Sequence, residues 1–106
     1  MPKYLYRVSY SAEGAKGLIK DGGSARLAAI EPIAEGMGGS IESFYFAFGD
    51  DDAYVIADLP SNAAAAALSL AVNASGAARV TTVPLMTPGE MDEAAEATPG
   101  YTPPGV

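Results

Sequence analysis

The sequence predicts an α+β domain: one four-stranded antiparallel sheet with its helices on a single face. Three observations carry this. Runs rich in β-branched and aromatic residues at 3–10, 40–48, 53–59 and 78–86 read as strands. Helical patterns follow the first and third of these runs, and a short Gly-Asp turn joins the middle two. The order is therefore β-α-β-β-α-β, with no repeat at a short fixed period.

Lys3 to Tyr10 alternates Tyr4, Tyr6, Val8 and Tyr10 against Leu5, Arg7 and Ser9, as a pleated strand requires. Ser11 then caps a short helix reaching Lys20, which Gly14 and Gly17 weaken by roughly 1 kcal/mol each relative to Ala. Asp21-Gly22-Gly23 breaks the chain, and Ser24 reads as a fresh N-cap. Leu27, Ile30, Ala34 and Met37 form one helical stripe, in which Pro32 predicts a kink or an interruption. Gly38-Gly39 is the stop.

Ser40 to Phe48 is the unusual segment. Strict alternation places Phe44, Phe46 and Phe48 on one face and Ile41, Tyr45 and Ala47 on the other, so both faces are apolar. Helices cover only one of them, which predicts a second copy of the chain against the other. Gly49 to Asp52 reads as a four-residue hairpin connection leading into Ala53 to Leu59. Pro60 ends that strand; Ser61 or Asn62 caps a helix running to about Ser75, closed by Gly76. The last strand spans Ala78 to Met86. Thr87-Pro88-Gly89-Glu90 opens a short acidic helix through a capping box, and residues 98–106 form a Pro/Gly-rich extended tail beyond a domain at 1–97.

This element order is that of the ferredoxin-like fold. Two such sheets packed face to face make a dimeric α+β barrel, the assembly predicted here. Burial at roughly 25 cal/mol per Å² favours closing the open face over leaving it wet.

Composition excludes several function classes. The 106 residues contain no Cys and no His, which removes disulfides, thiolate nucleophiles and histidine-based acid-base or metal chemistry. Six basic residues against thirteen acids, a formal net charge of −7, do not suit phosphate backbones. No signal pattern opens the chain and no apolar run is long enough to span a bilayer. The expected protein is soluble and cytoplasmic, without cofactor, metal, nucleic-acid partner or membrane partner.

Particular segments resemble the GYD domain family. They are Met1-Pro2-Lys3-Tyr4, Gly38-Gly39, the run from Ile41 to Gly49, Ala71 to Gly76, Thr81 to Pro88, and Gly100 to Gly105. The resemblance implies a ferredoxin-like fold and oligomerisation, and no particular activity. The family's Gly-Tyr-Asp signature falls at the hairpin, where Gly49 and Asp52 fit its ends and Asp51 stands in the place of Tyr.

Three constellations bear on chemistry. Asp50-Asp51-Asp52 lacks the Asp-x-Asp-x-Asp-Gly spacing of a calcium loop and reads as a solvated turn. Arg7 with Ser9, and Arg79, fall on neighbouring strands and, if they share the inward face, form a polar spot for an organic anion. The plainer alternative pairs Arg7 with Asp58 or Glu42 at the sheet surface. Tyr45 and Tyr54 sit on the paired strands and either face the same cleft or serve as core or interface aromatics. The candidate ligand-binding set is Arg7, Ser9, Tyr45, Tyr54 and Arg79, with no catalytic residue assigned.

The function read from these residues is a small homo-oligomer holding a small apolar or anionic molecule in a barrel cavity. The alternative is a cofactor-free enzyme of the monooxygenase or isomerase kind, which rests on analogy of fold. A third reading makes the tail at 99–105 a strap or partner-binding segment anchored by Tyr101.

Overall fold

Eight elements follow one another in the computed structural model, which describes residues 1–106. They are β1 (Lys3–Tyr10), α1 (Ala12–Asp21), α2 (Gly23–Gly36), β2 (Ser40–Phe46), β3 (Ala53–Asp58), α3 (Asn62–Ser75), β4 (Ala78–Leu85) and α4 (Pro88–Glu96). The strands form one sheet in the order β2-β3-β1-β4, every neighbouring pair antiparallel. This is the predicted ferredoxin-like arrangement.

Alternation along β1 sets the two faces. Tyr4, Tyr6 and Val8 lie opposite Ala57, Val55 and Ala53 of β3 and opposite Pro84, Thr82 and Val80 of β4. This side carries the core, with Ala65 and Leu68 of α3 and with Leu59 just beyond β3. Tyr hydroxyls need partners when their rings are buried. Tyr4 donates to Asn62 Oδ1, and Tyr6 donates to the Ala65 carbonyl at 2.8 Å. Burial pushes the Tyr6 phenol up to about 12.

β2 corrects the expected faces. Ile41 pairs with Ala57 and Ser43 with Ile56, so Glu42 is an extra residue in a β-bulge. The bulge shifts the alternation by one. Ile41 joins Phe44 and Phe46 on the helix side, where the two Phe rings lie 5.0 Å apart. The open side of β2 carries Glu42, Ser43 and Tyr45, so it is not uniformly apolar. The strand also ends at Phe46 rather than Phe48, and Phe48 lies fully exposed in a six-residue connection from 47 to 52.

Ser11 and Ser61 cap α1 and α3 as expected, accepting from the Gly14 and Ala64 amides. Ser24 does not cap α2. Gly22, whose amide bonds the Leu18 carbonyl, both closes α1 and precedes α2, so Ser24 falls inside the first turn. Pro32 does not interrupt α2. Its missing N–H deprives the Ala28 carbonyl, but both residues are exposed and water can serve that carbonyl. After α2, Gly38 turns to φ 86; its amide reaches the Glu35 carbonyl and that of Gly39 reaches Ala34, at 3.0 and 2.9 Å. These two bonds make a Schellman stop.

α4 and the residues after it are exposed throughout. Thr87 and Glu90 exchange reciprocal capping bonds at 3.1 and 2.9 Å, fixing the helix start. This arm stretches the molecule to a radius of gyration of 17.0 Å, against about 13 Å for a compact chain of this length. No helix is long and apolar enough to cross a membrane.

Candidate functional site

The face of the sheet that no helix covers collects every residue of the candidate set. β-register places Tyr45 opposite Tyr54, Tyr54 opposite Arg7, and Arg7 opposite Thr81, so one row crosses all four strands. Next to it runs a second row, Ser43, Ile56, Leu5 and Val83. Ser9 faces Arg79 beyond the first row. Tyr45 and Tyr54 are 72% and 38% exposed, the expected state of aromatic side chains with no covering layer.

Arg7 is clamped. Its Nε and Nη2 atoms donate to Asp51 Oδ2 at 2.9 and 2.8 Å. Ser9 Oγ donates to Asp51 Oδ1 at 3.2 Å, and the Tyr54 hydroxyl approaches Asp51 Oδ2 at 3.4 Å. The loop between β2 and β3 is shaped to deliver that carboxylate. The Ala47 amide bonds the Asp52 carbonyl, the Asp52 amide bonds the Val8 carbonyl, and Asp52 Oδ2 accepts from the Tyr10 amide. The loop is thus folded back over the end of β1.

Sequence reasoning leaves a shared face for these five residues conditional, which the register supplies, and takes Asp51, which organises three of them, only for part of a solvated turn. It also offered the wrong partners for Arg7: Glu42 and Asp58 are taken by Lys3, at 2.8 and 2.9 Å. Register explains this: Asp58 lies directly opposite Lys3, four residues along β1 from Arg7, and the bulge brings Glu42 to the open face beside the same lysine. The three loop carboxylates do not gather into a group able to hold a metal ion.

Electrostatics define what this surface can do. Hydrogen bonds from Arg7 hold the Asp51 carboxyl below its ordinary range, and the reciprocal bond raises Arg7. A carboxylate held ionised in this way is a poor proton donor near neutral pH. Arg79 has no carboxylate within ion-pair distance and is the free cation of the patch. With Ser9 and Thr81 it borders a shallow, open hollow at the β4 edge. The surface therefore offers aromatic and aliphatic contact area, hydroxyl donors and one uncompensated guanidinium. These are the means of binding an anion or a flat apolar group.

A cavity more enclosed than this hollow lies elsewhere, on the helix side, and shares no residue with the candidate set.

A model of the GYD domain matches residues 4–95 of the chain. Among curated proteins and among solved structures, nothing matches.

Proposed function

The chain belongs to the GYD domain family, and from that footing we propose that it is a self-associating binding protein. Its open sheet face closes on a second copy and encloses a small apolar or anionic molecule between the two sheets. The single observation behind this reading is the pair of cross-strand rows on the uncovered face: Tyr45, Tyr54 and Arg7 beside Ile56, Leu5 and Val83.

Large apolar and aromatic side chains on an uncovered face gain roughly 25 cal/mol for each Å² removed from water. A second copy supplies a surface of the same size and shape, and sheets stack about 10 Å apart, room enough for interleaved side chains. Arg79 then becomes a cation near the rim of an apolar chamber and selects for negative charge. Binding is favoured over acid catalysis because the carboxylate beside Arg7 is held in its ionised form.

Native mass spectrometry of the purified chain is the test. An even oligomer carrying extra mass supports the whole reading, and one without extra mass supports assembly alone. A monomer overturns it. Ile56→Glu, which sets a charge in the middle of the face, should give a folded monomer by circular dichroism; an unchanged oligomer with that substitution would place the interface elsewhere.

A further inference from the structure

The helix side of the sheet holds a cavity of about 420 Å³, bounded by α1, α2 and α3. Leu18, Ile30, Ile33, Leu68 and Val72 supply apolar walls. The volume lies within the range of small-molecule sites. It persists because the neighbouring positions are small. Gly14 brings α1 against the Ala77 carbonyl with no space for a Cβ, while a Cβ on Gly17 would meet nothing within 4 Å.

Polar groups converge at the Tyr10 end. β1 presents three tyrosines to the helix side, and two of them spend their hydroxyls inside the fold, on Asn62 and Ala65. Tyr10 has no such bond to the rest of the core. It lines the cavity with the Arg26 guanidinium beside it, and burial raises its phenol, which keeps it a neutral donor. Arg26 has no carboxylate within ion-pair distance, although acids outnumber bases thirteen to six in this chain. α2 begins at the same cavity without a side-chain cap, so its first N–H groups add positive potential. Glu13 and Asp21 stand among the lining residues, and Glu13 lies 3.7 Å from Lys16. A second negative charge on a ligand would meet them.

We infer that this cavity is a binding site for a small monocarboxylate with an apolar body, its carboxylate held by Arg26 and the Tyr10 hydroxyl and its body among Leu18, Ile30 and Leu68. The site lies on the opposite side of the sheet from Tyr45, Tyr54 and Arg79 and is independent of the self-association proposed above.

The test is amide-resolved NMR titration of the full chain with 2-naphthoate, and with 2-naphthamide as its uncharged counterpart. Naphthoate should shift the Gly14, Gly17 and Ala71 amides and bind at least tenfold tighter than the amide. Arg26→Gln should remove that preference, and Tyr10→Phe should weaken binding several-fold. Gly17→Phe fills the void from an unobstructed position, so it should abolish binding with circular dichroism unchanged. Naphthoate affinity at these amides unaltered by Arg26→Gln, shifts at Leu5, Ile56 and Val83 with none at Gly14, Gly17 and Ala71, or absence of binding up to the solubility of the probe would each overturn the assignment.

Discussion

Arg7 of β1 and Asp51 of the β2–β3 loop, far apart in the chain, are joined by two hydrogen bonds of 2.8 and 2.9 Å on the open sheet face. The pair ties the hairpin tip to the central strand and sets the charge of the candidate site. Removing the carboxylate while keeping its shape separates these roles. Asp51→Asn should speed hydrogen exchange at the Ala47 and Asp52 amides and strengthen retention of small anions by freeing Arg7. Unchanged exchange at those amides would mean that the backbone bonds alone hold the loop.

The same pair predicts a response to acid. The folded-state pKa of Asp51 lies below its ordinary value of 3.8, so the unfolded chain takes up the proton first as pH falls. The contribution of the clamp is complete above 3.8 and is lost as pH drops through the lower folded value. Thermal midpoints of the wild type and of Asp51→Asn should therefore converge at strongly acidic pH. A gap of constant size across that range would refute the linkage.

Tyr6 gives the alkaline counterpart. Its phenol is raised from 10.0 to about 12 by burial, so the folded state favours the protonated ring. Stability is fully present below 10.0 and declines as pH rises toward 12. Tyr6→Phe abolishes that dependence and, by losing the bond to the Ala65 carbonyl, should cost about 1 kcal/mol in urea unfolding at neutral pH.

Two glycines of α1 should answer oppositely to substitution. Gly14→Ala sets a methyl group against the Ala77 carbonyl and should destabilise by about 1–3 kcal/mol. Gly17→Ala enters open space and should stabilise by about 0.5–1 kcal/mol through helix propensity. Denaturant midpoints of the two variants check this directly.

The exposed tail makes a separable prediction. Residues 98–106 lie on the surface throughout, so a chain ending at Ala97 should keep the unfolding midpoint of the core. Weaker self-association in sedimentation velocity would show that the tail straps a neighbouring copy. Unaltered sedimentation would remove it from the assembly.

What could be read from the sequence was local. Ser11, Ser61 and Thr87 announce their helices because a cap bonds to an amide within a few residues. Alternation groups Arg7 with Ser9 along β1 and Arg79 with Thr81 along β4 because neither strand has an irregularity, and only the register between the strands puts the two groups on one face. β2 misled because a period of two contains no information about a bulge. The partner of Arg7 lies 44 positions away on a loop whose path is set by bonds to Val8 and Tyr10. Gly14 and Gly17 were legible only as weak points of a helix. That one makes room for a backbone carbonyl and the other opens onto a cavity depends on what three helices leave unfilled.

The bulge at Glu42 and Ser43 has a consequence for chain length. β2 contains one residue more than its partner can match, and the surplus sits at that point. Excising Glu42 would leave Ile41, Phe44 and Phe46 facing the helices in unbroken alternation, at the expense of one ion pair with Lys3. Excising a residue between Phe44 and Phe46 would turn an aromatic ring outward. Single-residue deletions in this strand are thus tolerated at one address and harmful a few ångströms away, a difference of parity rather than of side-chain chemistry.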